Sequence, residues 1–369
     1  MVKTKLLMLT AVAGMGMLAA CNADETVEDN PGLEISFAPG INKGTRAADV
    51  TVDSLQKYGF NVTSIKNAND VVYFKNVGFE WNGSAYGSAI KYYWPATEAL
   101  DFYAYSTTSA ARSQVKKIDY NTFGVTPSTD WKNQVDLVFA ATRNKVKADG
   151  ENGIVLNFRH TGAKIRVQVK NTSSTLKFDV EGWKVGFLSD SAKFTFPRTE
   201  NTDGKDAASL SKGYWTAHKD RSIATEYKSE FTTKYIAAGA SAEEDLPGQM
   251  IMLPQTTPTM DAYISNADGA NVNNPYIALK MVIRNNDSDG TIIASEVGGG
   301  AIWATWPLPT TEWLPGKVYT YIVDLSGGGY YPGNKPGTDP KLDPLLTEIK
   351  FVSVTVDDWV EDGPYNVGN

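Results

Sequence analysis

From residue 50 onward the chain keeps returning to one pattern: short runs in which apolar and polar residues alternate, with glycine and proline punctuating the chain at short intervals. A side-chain period of two is what a strand with one buried face requires, and a helix cannot bury such a pattern along one side. Residues 58–65, 71–74, 79–81, 89–94, 100–105, 117–120 and 135–140 form a first set of such runs. Residues 154–158, 163–169, 176–180, 183–188, 250–253, 276–283, 292–294, 301–306, 318–325 and 348–356 form a second. Aromatic and β-branched side chains dominate both sets, as a pleated, half-buried surface favours. The turns draw on 32 glycines and 17 prolines, the residues that most readily punctuate strands. Helical spacing is scarce, and residues 51–57 are the best stretch for a turn or two.

In residues 163–169, Lys164, Arg166 and Gln168 fall on one face and Ile165, Val167 and Val169 on the other, the mark of a sandwich strand with one wet side. The run 144–153 is polar, charged and without period, so a boundary between two domains, 47–150 and 151–369, is expected there. Residues 198–247 turn polar and glycine-rich and read as a long insertion. With 369 residues, 42% hydrophobic and 11% aromatic, the chain can fill two cores. The expected architecture is all-β, two sandwiches in series.

The N-terminus reads differently. Lys3 and Lys5 form a basic start, residues 6–18 an apolar stretch, and Leu18-Ala19-Ala20 precede Cys21. That is a secretory signal over residues 1–20, too short for a spanning helix. Cys21 is the single cysteine of the chain, placed where the lipobox of an exported bacterial lipoprotein has its acylated residue. Each buried methylene of such acyl chains contributes about 0.8 kcal/mol of membrane affinity. Residues 21–46 read as an acidic tether and a first strand. Leu33, Ile35 and Phe37 alternate with Glu34 and Ser36, Pro39-Gly40 breaks the pattern, and a polar run leads to Arg46-Ala47. That run is an exposed, protease-accessible loop. The formal net charge of −7, with no basic cluster, argues against nucleic acid or anionic lipid as partners.

Catalytic and metal-binding patterns are weak, and no cofactor is expected. The chain has two histidines, His160 and His218; His160, beside a strand, reads as a structural hydrogen bonder. No GxSxG elbow surrounds any serine. Asn285, Asp287, Asp289, Gly290 and Glu296 fit calcium-loop spacing, but strands flank them where helices belong, so a hairpin turn is the better reading. Trp81, Tyr86, Tyr92, Tyr93 and Trp94 suggest a carbohydrate platform, yet alternating aromatics on strands more often pack a core.

Several segments resemble the fimbrillin-like (Mfa-like) lipoprotein family of type V pili. They are Ala89-Ile-Lys-Tyr-Tyr-Trp-Pro95, Leu100-Asp-Phe-Tyr-Ala-Tyr105, Val155-Leu-Asn-Phe-Arg-His160 and Ala163-Lys-Ile-Arg-Val167. Ile251-Met-Leu-Pro-Gln255, Trp313-Leu-Pro-Gly-Lys-Val-Tyr-Thr-Tyr321 and Ile349-Lys-Phe-Val-Ser-Val-Thr-Val-Asp-Asp-Trp359 continue the series. The resemblance implies two tandem transthyretin-like β-sandwich domains in a structural subunit without enzymatic activity. It implies export as an outer-membrane lipoprotein through Cys21. An arginine-specific or trypsin-like protease then cuts between Arg46 and Ala47, removing the strand that carries Leu33, Ile35 and Phe37. The partners implied are other copies or homologous pilus subunits, one of which donates its C-terminal strand into the vacated groove.

On this chain the donor candidate is residues 348–360, with Ile349, Phe351, Val354, Val356 and Trp359 as its large side chains. Three inserted apolar side chains at about 1.5–3 kcal/mol each would contribute roughly 5–9 kcal/mol before ladder hydrogen bonds and ordering costs. Ile349 and Phe351 share one parity, while Val352, Val354 and Val356 share the other, so a bulge or two-sided burial is needed. Arg46-Ala47 in a polar loop favours a processed subunit over an anchor that keeps its lipid, while stalk against tip stays open; a monomeric surface lipoprotein or tip adhesin binding a glycan or a host protein is the alternative.

Overall fold

The computed structural model describes residues 32–41, 52–107, 112–196, 214–257, 275–295, 298–327 and 351–358. The first half contains β1 (Phe37–Ile41), α1 (Val52–Tyr58), β2 (Phe60–Lys66), β3 (Val72–Trp81), β4 (Tyr86–Gly87), β5 (Leu100–Thr107), β6 (Val115–Asp119), β7 (Thr122–Val125), β8 (Leu137–Lys145) and β9 (Ile154–His160). The second contains β10 (Ala163–Lys170), β11 (Leu176–Leu188), β12 (Ala192–Thr195), β13 (Trp215–Thr216), β14 (Ser222–Ile236), β15 (Glu244–Asp245), β16 (Met250–Met252), β17 (Tyr276–Asn285), β18 (Ile292–Ala294), β19 (Ile302–Pro307), β20 (Lys317–Asp324) and β21 (Phe351–Asp358). The fold is all-β, as its alternating runs require.

A seven-stranded sheet in the order β1-β9-β8-β5-β2-β3-β4 organises the first half. Strand β5 explains its layering. Residues 100–106 are all buried, which marks a central strand covered on both faces. Phe102 and Ala104 point into one core with Phe37, Phe60, Phe79 and Phe158, closed over by Leu55 of α1, Tyr86 and Trp94. Tyr103 and Tyr105 point the other way, with Leu137 and Phe139, against a four-stranded sheet in the order β13-β12-β7-β6. Phe123, Phe194, Phe196 and Trp215 fill that middle core.

The third core lies between two five-stranded sheets. One runs β15-β10-β20-β21, with β16 also on β10; the other runs β14-β11-β17-β18, with β19 also on β17. Ile165, Val167 and Tyr321 face Trp183, Leu279 and Trp306 across it, and Lys164, Arg166 and Gln168 lie on the opposite face of β10, as its alternation requires.

Five details differ from the sequence reading. Residues 154–158, expected in the second set, belong to β9 and complete the first sheet. The polar run before them is a tight connection between β8 and β9, not a linker. Gly150 there lies so close to Trp94 that a Cβ would stand 2.3 Å from the indole Nε1. The stretch expected as an insertion contains β14, a 15-residue strand paired along β11. Its polar composition follows from its place at a sheet edge, where one face is wet. Residues 89–94 are not a strand of any sheet; Tyr92 O and Trp94 N–H bond the incoming N-terminal segment, while Ile90 O and Tyr93 O accept from the hydroxyls of Ser88 and Tyr73. Finally, 176–180 and 183–188 fuse into β11 through a register irregularity between Val180 and Gly182.

Candidate functional site

The two terminal segments are where the sequence reading placed function. Ile35 N–H donates to Tyr92 O at 2.8 Å and Trp94 N–H to Leu33 O at 3.0 Å, with Glu34 opposite Tyr93. Past this point the chain changes partner. Ile154 N–H donates to Ser36 O at 2.9 Å, and β1 then runs parallel to β9 with Phe37 opposite Ile154. The Lys91 ammonium sits 2.8 Å from the Glu34 carboxylate, and this contact raises the lysine above its ordinary pKa.

The alternation of Leu33, Ile35 and Phe37 works as expected. Ile35 and Phe37 are 3% and 6% exposed, and Leu33 packs against the same core. Phe37 is the hub of an aromatic cluster, its ring edge-on to Phe79 at 4.8 Å, Phe102 at 5.3 Å and Phe60 at 6.1 Å. Burial beside this cluster pushes the Tyr86 phenol up to about 12. One expectation fails. Pro39-Gly40 does not end the strand, which continues to Ile41. β1 lies at the edge of its sheet, where a proline can leave its missing N–H on the open side.

At the other end, β21 is the edge strand beyond β20. Val354 lies opposite Tyr321 and is half-buried against the third core; Val356 lies opposite Tyr319 and is 52% exposed. The register slips between Ile322 and Val323, so the backbone of Phe351 faces Val323 with Val352 skipped. This is the one-residue bulge that the change of parity called for. Cys21, Arg46, Ala47, Ile349 and Trp359 lie outside the described residues.

Sequence reasoning missed the strand's second neighbour, residues 91–94; the opposite charges of Glu34 and Lys91 were the available signal. The remaining candidates are structural. His160 Nδ1 meets Asp136 Oδ2 at 2.5 Å, with both side chains buried, and His218 Nε2 bonds Pro254 O at 2.8 Å. Asn285 to Thr291 forms a hairpin turn, with Thr291 N–H donating to Asp287 Oδ1; Glu296 lies outside the described residues. Tyr86 and Trp94 are core residues, and Trp81 and Tyr92 pack on the same core, while Tyr93 is partly exposed. Among the described residues no cluster of His, Cys, Asp or Glu is arranged to hold a metal, and no helix is long and apolar enough to cross a membrane.

The comparison with known proteins agrees with this architecture. A fimbrial protein from Bacteroides vulgatus ATCC 8482 superimposes with a TM-score of 0.57 at 14% identity, covering 89% of this chain and 99% of its own. Two candidate cell adhesion proteins match less closely. One, from Bacteroides ovatus ATCC 8483, has a TM-score of 0.44 at 15% identity, over 89% of this chain and 99% of its own. The other, from Bacteroides uniformis ATCC 8492, has a TM-score of 0.43 at 14% identity, over 89% and 98%. No curated protein matches the chain. The fimbrillin-like family matches residues 45–359, which takes in every described strand except β1. The chain belongs to the fimbrillin-like family, a class of structural, non-enzymatic proteins of cell-surface fimbriae.

Proposed function

We propose that this chain is a pilus building block that is anchored first and assembled second. It is exported as an outer-membrane lipoprotein through Cys21, cut between Arg46 and Ala47 by an arginine-specific or trypsin-like protease, and polymerised by strand exchange. On this reading it comprises two transthyretin-like sandwich domains that meet near residue 161, since β9 completes the first sheet.

One observation carries the proposal. Ile35 and Phe37 are built into the first core, yet they reach it on a segment that joins its sheet at the edge and ends at Ile41, shortly before Arg46. Cleavage would free that segment, expose the rings of Phe60, Phe79 and Phe102, and leave the β9 edge unpaired. Such an edge over an apolar groove is a template for another chain's strand. The partner strand exists in each copy: β21 is an edge strand with one half-buried valine and one largely exposed valine. Because donor and acceptor are different surfaces, the contact is head-to-tail and extends into a filament when the rotation does not close.

The test uses the chain from residue 22, cut with trypsin and followed over time on denaturing gels without boiling. The expected result is a fragment beginning at Ala47 together with a ladder of denaturant-resistant multimers. Cutting at Arg46 that leaves only monomer would refute self-assembly and leave a tip or a monomeric binder. Resistance at Arg46 would refute the processing step.

A further inference from the structure

The most unusual surface outside the terminal strands lies where α1 ends. A cleft of about 500 Å³ opens there, lined principally by Lys57, Tyr58, Asn61, Asn76, Tyr105 and Lys117, within the size range of small-molecule sites. Its lining holds two lysines and no carboxylate, although the chain as a whole carries a net charge of −7. Each lysine ammonium is held near an aromatic ring, Lys57 at 5.1 Å from the Tyr58 centroid and Lys117 at 5.8 Å from that of Tyr105. Burial pulls the Lys117 ammonium below its ordinary pKa, and the Lys75 charge adds to this, with Asp119 opposing. A cation so placed gains from an incoming anion.

The backbone is bent to serve this cleft. The pairing of β2 with β3 slips between Val62 and Ser64, and at the slip Asn76 adopts φ +55°, a left-handed conformation uncommon outside glycine but tolerated by asparagine. Bulges of this kind re-aim a side chain and are frequent beside binding sites. Asn76 N–H donates to Thr63 Oγ1 at 2.9 Å, and the Tyr105 hydroxyl donates to Asn76 Oδ1 at 2.8 Å. With its oxygen engaged, the Asn76 amide keeps its N–H₂ as a donor. Gly59 seals the end of α1 at φ +64°, where a Cβ would stand 2.5 Å from Phe79 O, so the helix end is fixed against the sheet.

We propose that this cleft binds the carboxylated sugar residue of an acidic glycan, a uronic or sialic acid. Lys57 and Lys117 meet the carboxylate, the amides of Asn61 and Asn76 meet ring hydroxyls, and Tyr58 and Tyr105 supply apolar walls. An acidic peptide fits less well, because its carboxylates bring no ring hydroxyls for the Asn61 and Asn76 amides. Of the strands that supply Asn61, Asn76 and Tyr105, β2 and β5 are paired on both sides, while β3 pairs β4 only at Glu80 and Trp81. The inference goes beyond strand exchange and is independent of it, because none of these residues belongs to β1 or β21.

The test is saturation-transfer NMR on the full exported chain, titrated separately with glucuronate, N-acetylneuraminate, glucose, acetate and inorganic phosphate. Saturable binding of one or both acidic sugars is expected, with glucose, acetate and phosphate much weaker. Lys117→Met and Lys57→Met should each weaken it about tenfold, the loss of one ionic contact worth about 1.4 kcal/mol. Lys57 is exposed, so its variant tests the site even where Lys117→Met disturbs folding. Equal binding of acetate or phosphate would reduce the site to a bare anion site and overturn the proposal. Equal binding of glucose, no saturable binding of either acid, or binding that survives both substitutions would overturn it as well.

Discussion

At the scale of single residues, the first sheet depends on a buried charge. Asp101, 1% exposed on β5, accepts hydrogen bonds from Asn67 Nδ2 at 2.8 Å, Asn144 N–H at 2.8 Å and Arg143 Nε at 2.9 Å. Burial pushes its carboxyl up, but the bonds from Asn144, Asn67 and Arg143 together outweigh burial and hold the pKa below the ordinary value. A carboxylate with a depressed folded pKa stabilises the fold fully above its unfolded pKa of about 3.9. That contribution is lost as the pH falls through the lower folded value. Asp101→Asn should therefore lower stability at pH 7 by roughly 1.5–3 kcal/mol, the usual worth of a hydrogen bond to a charged group. The deficit should shrink toward pH 3. Asp190, Glu226 and Asp324 are also held low against the push of their own burial. The readout is accordingly the difference between wild type and variant in denaturant midpoint at the two pH values. A deficit that stays constant with pH would show that the Asp101 charge is not what matters.

At the scale of elements, the two terminal strands are unequal. β1 places its aromatic residue at the hub of a core, whereas β21 covers its sheet with one half-buried valine on the described part of its length. A donor strand should be lightly held at home, so deleting residues 351–358 is expected to leave the third core folded and to abolish donation. The truncated, protease-cut subunit should still accept a strand, and mixed with intact subunits it should shorten the multimer ladder in proportion to its share. A ladder of unchanged length would place the donor elsewhere in the chain. The alternation of Leu33, Ile35 and Phe37 was readable in the sequence because burial of one face follows directly from period two. The continuation of β1 through Pro39 was not, because a proline is a strand breaker or an edge residue depending on which side lacks a neighbour. Likewise 89–94 looks like a strand from its aromatics, but its Tyr92 and Trp94 bond the N-terminal segment in place of a sheet neighbour. The cleft beside α1 left no readable trace at all. Its lysines lie far apart in sequence, and only the bulge at Asn76 and the pairing of β2 with β3 bring the lining together.

At the scale of the whole molecule, three cores form a series, and the middle one decides whether the ends communicate. The groove filled by β1 lies over the first core and β21 over the third. Between them, Phe196 stacks on Phe123 at 5.1 Å and on Phe139 at 5.3 Å, so a residue that follows β12 packs on β7 and β8, two strands that precede β9. Polar ties cross the same junction. Trp215 Nε1 donates to Thr161 O at 2.8 Å, and Ile251 N–H donates to Gln134 Oε1 at 2.6 Å. A subunit that carries tension from an accepted strand at one end to a donated strand at the other must pass it through this core. Phe196→Ala would leave a cavity costing about 3–5 kcal/mol, and the loss falls where the halves are joined. Wild type should melt in one calorimetric transition whose enthalpy matches the van't Hoff value. Phe196→Ala should melt in two, with the first sheet and its cores unfolding at the lower temperature and the core around Trp183 and Trp306 persisting. A single transition in the variant, merely shifted downward, would mean that the polar ties and the pairing of β12 with β7 suffice to couple the halves and that the aromatic stack only fills space.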